Sequence, residues 1–294
     1  MKKNLALPAL AVFGGAASFL LRLLQNRTGF EPDTGLPIPG NLPGLVLIAL
    51  LVLLAAAMCV LAGKLPKEQD PGPAFPDDFS TTEPKLLMLP VMGVLLIALS
   101  GLADLAQGLG IALLGAPGLD DAYVLTADLA VWVPGPAFSR TAMLLMGLLS
   151  LASAAGLLLA VVACRPREGR KPVPGTILLI APAALVIRLV LTYRAYSIDP
   201  ALEAYYVELL ALVFLTLGLY RLSAFAFQAG RTRRFALYAA PAITLSLAAL
   251  GDASASNLAA PLLYLGGALT LLGFLLLRLY RPDSCEVHHS TSEE

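Results

Sequence analysis

The residues best able to do chemistry in this chain stand where charge is least expected. Arg188 and Glu208 lie in "LVIRLVLTYRAYSIDPALEAYYVELLALVF", residues 185–214, each with apolar sequence on both sides. Asp104 and Gln107 sit one turn apart near the end of another apolar run, and Tyr193 and Tyr205 flank the break at "YSIDP". An arginine among carboxylates and phenols is a recognition set. The guanidinium offers a planar fork of donors to an anion, and the carboxylates and phenols hold it in place. The candidate binding residues are therefore Arg188, Glu208, Asp104, Gln107, Tyr193 and Tyr205. In water such side chains would only coat a surface; in hydrocarbon each charge needs a partner or a purpose.

Composition decides which solvent applies. The chain has 294 residues, 58% of them hydrophobic and 14% charged, with a mean hydropathy of +0.79. Soluble domains carry about 25% charged residues. The apolar residues come in continuous runs of helix-spanning length rather than in the alternating pattern of a membrane strand. The expected fold is all-α, a polytopic integral membrane helical bundle with about eight spans, at 5–24, 42–63, 86–107, 141–163, 174–193, 203–222, 235–251 and 258–279. Residues 1–281 then form one transmembrane domain, and 282–294 a disordered cytoplasmic tail. The first span has the basic start and small residues of a signal peptide, but "FLLRLL" carries the apolar run past any cleavage point, so it reads as a retained helix.

Basic residues give the orientation. Fifteen Lys and Arg fall at the termini and in the even-numbered loops, against five on or near the opposite side. By the positive-inside rule the protein is a multi-pass cell-membrane protein with both termini cytoplasmic. Cys59, Cys164 and Cys285 all fall on that reducing side and are expected to be free thiols. The cytoplasmic segment 64–85 is rich in Pro and charge and reads as a disordered linker, the alternative being a docking segment.

Depth links the two central charges. Arg188 and Glu208 are each ten residues from Ile198. Antiparallel helices joined by a short turn place such residues at one level, which predicts a buried Arg188–Glu208 pair, with Arg194 and Glu203 repeating it at the mouth. Arg22, Arg194, Glu203 and Asp252 lie near enough to the interface to reach water by snorkelling. Asp252 and Asn257 bracket the last outer turn. Gly14, Gly147, Gly156, Gly218, Gly266, Gly267 and Gly273 mark close helix packing.

Two outer loops carry more information. In "NRTGFEPDTGLPIPGN", residues 26–41, Pro32 fixes φ, Asp33 can close an Asx-turn and Gly35 tolerates positive φ, so the loop is shaped. Its "EPDTGLPIPG" stretch, following a first helix, resembles that of uncharacterised small polytopic membrane proteins of bacteria. The resemblance implies a bacterial membrane protein and brings no function with it. In the long loop 108–140, Asp120 can cap a helix over about 121–133, with Leu125, Leu129 and Trp132 on one face. This reads as an interfacial helix, the alternative being a re-entrant lid.

Catalytic signals are thin. There is no HExxH, no G-x-S-x-G and no P-loop, and no hydrophilic segment large enough for a soluble enzyme domain. The tail's Cys285, His288 and His289 make a weak metal set. No cofactor, no metal and no nucleic acid is expected; the partners are the lipid bilayer and a small-molecule solute. Two classes stay open. One is a transporter or binding protein for a small polar or anionic solute, with an outward-facing polar cluster. The alternative is a non-transporting sensor or assembly component whose Arg188–Glu208 pair is structural. An enzyme acting on lipid through Asp104 or Glu208 is a distant third.

Overall fold

In hydrocarbon a backbone must satisfy its own hydrogen bonds, so apolar runs of about 20 residues become helices. The computed structural model describes residues 5–31, 36–65, 75–81, 83–111, 138–165, 174–196, 202–253 and 258–279. Its helices are α1 (Ala6–Thr28), α2 (Leu42–Gly63), α3 (Phe75–Asp78), α4 (Pro84–Gly108), α5 (Arg140–Ala163), α6 (Gly175–Tyr196), α7 (Leu202–Ser223), α8 (Thr232–Ala249) and α9 (Ala259–Leu279). Short 3-10 turns follow α7 at Ala224–Phe227 and α8 at Leu250–Asp252. Among the described residues, all but α3 are long and apolar enough to cross a membrane, giving eight spans. The protein is a multi-pass integral membrane helical bundle.

Local chemistry sets the ends. Pro43 and Pro84 occupy the first turns of α2 and α4, where a missing N–H leaves nothing unpaired. Ser139 caps α5, its Oγ accepting from the Ala142 N–H at 3.3 Å. The spans fall within a few residues of those expected. The largest departure is α1, which runs on to Thr28 rather than stopping at residue 24, because Arg22 and Gln25 turn into the bundle.

Successive spans alternate in direction, so the bundle has two ends. At one, here called basal, Gly63 lies near Arg233, Thr81 near Cys164, and Asp78 and Thr232 near Arg278. At the other, apical, Gly29 meets Asn41, Gly108 meets Leu144 and Arg22 meets Asp252. The centre is α8 and α9, with 72% and 67% of their most apolar stretches buried, against 22% for α2. α8 is also the Ala-rich span; small side chains let four helices, α1, α2, α7 and α9, pack around it. A Cβ on Gly93 of α4 would come within 2.6 Å of the Gly266 carbonyl on α9, so at that crossing backbone packs on backbone. Each of the seven glycines singled out from sequence has a neighbouring atom within 3.0 Å of where a Cβ would stand.

The basal end corrects the reading of segment 64–85 as a linker. Phe75 and Phe79, one helical turn apart, are buried. The Phe79 ring lies 5.1 Å from Phe225 and 5.5 Å from Phe274. Asp78 is buried too and accepts from Arg278 Nη1, while Arg278 Nε donates to Thr232 Oγ1 at 2.6 Å. Pro and charge made the segment look solvated, yet over its described residues 75–81 Phe75 and Phe79 pack into the bundle. Cys59 and Cys164 are free thiols near this end.

At the apical end the loop after α1 closes on itself. Phe30 and Pro37 form a bridge, the Glu31 N–H donates to Leu36 O at 2.9 Å, and Gly40 takes a positive φ of 77°. Pro32, Asp33 and Gly35, the expected helix 121–133, Asn257, the Glu203 side chain and the tail with Cys285, His288 and His289 lie outside the described residues.

Candidate functional site

α6 carries Arg188 inward. Its buried face is Leu178, Ala181, Leu185, Arg188 and Thr192, a helical stripe in which the arginine takes the place of a leucine. Arg188 is only 6% exposed, and its Nη1 donates to Asp104 Oδ2 of α4 at 2.6 Å. Asp104 is itself buried. The ion pair expected between Arg188 and Glu208 is therefore corrected: the partner is Asp104. Equal distance from Ile198 fixes depth but not rotation about the helix axis, and rotation turns Glu208 elsewhere.

Glu208 of α7 binds two phenols. Tyr264 Oη of α9 donates to its Oε1 at 2.8 Å, and Tyr196 Oη of α6 donates to its Oε2. The Tyr196 ring stacks flat on Tyr205, with centroids 4.5 Å apart and an interplanar angle of 2°. Glu208 and Arg188 remain within electrostatic reach of each other, so the two clusters belong to one polar layer.

A third cluster was not anticipated. Arg22 of α1 is fully buried; its Nε donates to Asp252 Oδ1 at 2.6 Å and its Nη1 to Gln25 Oε1 at 2.8 Å. The guanidinium also lies over the Tyr206 ring, 5.4 Å from its centroid. Asn26 Nδ2 donates to both the Gly251 carbonyl and Asp252 Oδ1. Arg22 does not snorkel, then, and neither does Asp252. A sequence signal was present. Ala11, Gly14, Ser18, Arg22 and Gln25 share one face of α1, and a face of small residues is a packing face.

Of the six candidates, the structure joins Arg188 to Asp104 and sets Glu208 and Tyr205 in the neighbouring tyrosine cluster. Gln107 is half-buried near the apical end of α4. Tyr193 is 61% exposed and points away from the cluster. Tyr196 and Tyr264, which hold Glu208, were not among the six. Tyr264 sits in a span where nothing but the fold could have brought it to Glu208.

Arg188 also borders empty space. A small cavity of about 20 Å³, room for about one water molecule, lies among α4, α5, α6, α7 and α9. Apart from Arg188, Ser150 and Ser153 its lining is apolar, including Leu157, Leu215 and Leu219. Ser153 Oγ is spent on the Leu149 carbonyl at 2.7 Å. Among the described residues, Ser150 Oγ has no hydrogen-bond partner, and Arg188 Nε and Nη2 have none either. A buried guanidinium beside a cavity, with one nitrogen engaged, has further N–H groups to donate to an anionic oxygen. No cluster of His, Cys, Asp or Glu arranged to hold a metal occurs among the described residues. Comparison with family models, with curated proteins and with solved structures finds no match.

Proposed function

We propose that this membrane protein binds the anionic group of a small solute at Arg188, as a transporter or a binding protein, with its apical end facing outward. One observation carries the reading: Arg188 is buried in the membrane layer and lines a cavity, yet most of its donors are uncommitted. An unpaired donor in hydrocarbon is costly, so an arginine that serves only to fasten helices is expected to be saturated. Asp104 keeps the guanidinium charged and aimed. The fifteen basic residues that the sequence assigns to the other side of the membrane support the outward direction.

A second reading has its own support. The 2.6 Å contact between Arg188 and Asp104 ties α6 to α4, and such a tie alone can fix helix register in a sensor or assembly component. Uptake and binding by proteoliposomes, scanned over carboxylate- and phosphate-bearing solutes, separates the two. The binding reading expects at least one solute to be retained or taken up by the wild type and lost in a folded Arg188→Gln variant. A full panel without a hit, with Arg188→Gln merely less stable, leaves the structural reading.

A further inference from the structure

We propose that Glu208 is a reversible proton site coupled to Arg188, so that the protein takes up a proton together with the anion. The inference rests on the anion reading of Arg188 and adds the ion that accompanies it. Its basis is a contrast among the acids. Asp78, Asp104 and Asp252 each lie within 2.6 Å of an arginine nitrogen. Glu208 has no basic group at ion-pair distance among the described residues. Phenols hold both its oxygens instead, Tyr264 on Oε1 and Tyr196 on Oε2.

Three physical points favour a proton here. First, the charge of Glu208 has no counterion of its own. It faces Arg188 and Tyr196 of α6, Tyr264 of α9 and Asp252 of the turn after α8. Arg188 is already paired with Asp104, and Asp252 with Arg22. α8 itself carries its titratable residues, Arg233, Arg234 and Tyr238, in its basal half. Keeping a carboxylate charged in hydrocarbon with no cation beside it is costly, and binding a proton removes the charge. Second, phenols serve both states. A phenol donates to a carboxylate and accepts from a carboxylic acid, whereas an arginine only donates. A proton added at Oε2 forms an O–H that donates to Tyr196 Oη, and the phenol's own proton turns away from the carboxyl. Tyr264 goes on donating to Oε1. Third, the route is short. Tyr196 is the last residue of α6, and Glu208 is six residues into α7, about 9 Å from its apical start. A single hydroxyl can relay a proton from apical water to Oε2. Coupling follows from proximity, since neutral Glu208 takes a negative charge away from the surroundings of Arg188 and an anion binds there better. By reciprocity, a bound anion makes Glu208 hold its proton more tightly.

The test follows the carboxyl itself, in the full chain in nanodiscs, by infrared difference spectra between about pH 8 and about pH 5, a range in which exposed carboxylates stay largely ionised. A carboxylic C=O stretch should grow on acidification in the wild type and be absent from Glu208→Gln. Should Glu208→Gln fail to fold, Tyr264→Phe, which keeps the carboxyl and removes the donor to Oε1, should move the band to higher frequency. Inorganic phosphate, whose own bands lie away from the C=O stretch, and formate are the anion probes. At least one should move the midpoint of the band to higher pH, by about fivefold in proton affinity, and should not do so in Arg188→Gln. The added charge has no Asp104 to offset it, so its effect on Glu208 exceeds that of Arg188 itself. A band missing across the whole range, or standing unchanged throughout it, would overturn the proton site and leave the anion reading of Arg188 untouched. A band that survives in Glu208→Gln, or that Tyr264→Phe leaves in place, belongs to another acid and would overturn it too. A titrating band whose midpoint neither anion moves would overturn the coupling, while uptake over the solute panel decides the anion reading on its own.

Discussion

Removing one member of the Arg188–Asp104 pair should destabilise the protein more than removing both. The side chains are 7% and 5% exposed and 2.6 Å apart. Stripping one partner from a buried ion pair in a soluble protein costs about 3–5 kcal/mol, because the other charge is stranded. Membrane helices soften this penalty. Polar contacts between them are measured at up to about 1.7 kcal/mol, since the unfolded chain in a membrane also finds partners. For a charged pair, between those two figures, each single change, Arg188→Leu or Asp104→Leu, should cost about 2–3 kcal/mol. The double change should cost less than either single one, about 2 kcal/mol or below, which is a coupling of about 3 kcal/mol, a factor of roughly 160 in the folding equilibrium.

The assay is reversible unfolding in mixed micelles, titrating a denaturing detergent and following helix content. A second cycle, Arg188→Leu with Glu208→Leu, serves as the reference. Those two groups feel each other but make no direct contact, so their coupling should stay below about 0.5 kcal/mol. Additive losses at positions 188 and 104, or a larger coupling at 188 and 208, would refute the geometry from which the site is built. The double mutant also separates the functional readings. A structural pair leaves a folded protein with nothing else missing, whereas a binding site leaves a folded protein that no longer retains or takes up the solute found with the wild type.

Arg22→Leu should cost about 2–4 kcal/mol in the same titration, since it strands Asp252, while Arg194→Leu, at an exposed position, should change stability by less than about 0.5 kcal/mol. Phe79→Ala should cost about 3–5 kcal/mol for the cavity left among Phe75, Phe225 and Phe274; Phe13→Ala, at a position 75% exposed, should cost far less. A cysteine placed at Asp33 should react with an impermeant maleimide on intact cells and one at Lys67 should not; the reverse pattern inverts the orientation read from the basic residues. Cys59 and Cys164 should titrate as free thiols in solubilised protein, and a disulfide between them in fresh membranes would contradict their basal placement.

The spans were legible because hydropathy, helix length and the bilayer all impose one period on the sequence. Positions along the helix axis were legible for the same reason: a rise of about 1.5 Å per residue made Arg188, Glu208 and Asp104 neighbours in depth. What depth cannot supply is rotation. Which face of α6 meets α4 rather than α7 depends on how eight helices settle together, and that turned Arg188 to Asp104 and left Glu208 to Tyr196 and Tyr264. Arg22 was misjudged for a different reason. A charge close to a span's end has two solutions, water or a partner, and sequence distance hides a partner 230 residues away. Segment 64–85 was misjudged because its average composition outweighed two phenylalanines that find a buried site only after the bundle exists.

The three Arg–Asp pairs also weigh against one another. Arg22–Asp252, Arg188–Asp104 and Arg278–Asp78 each join residues far apart in sequence, and each arginine is largely enclosed. Arg22 uses Nε and Nη1 and covers the Tyr206 ring; Arg278 uses Nε and Nη1 and covers the Phe225 ring. Both are built as fasteners, with hydrogen bonds on two nitrogens and an aromatic face beneath the guanidinium plane. Arg188 has the same carboxylate partner but one hydrogen bond, no described ring beneath it, and a cavity beside it. If all three pairs only held helices together, the one farthest from both ends of the bundle, where an idle donor costs most, should be the most saturated. It is the least. The open donors of Arg188 therefore fit the anion site proposed for it better than they fit a fastener.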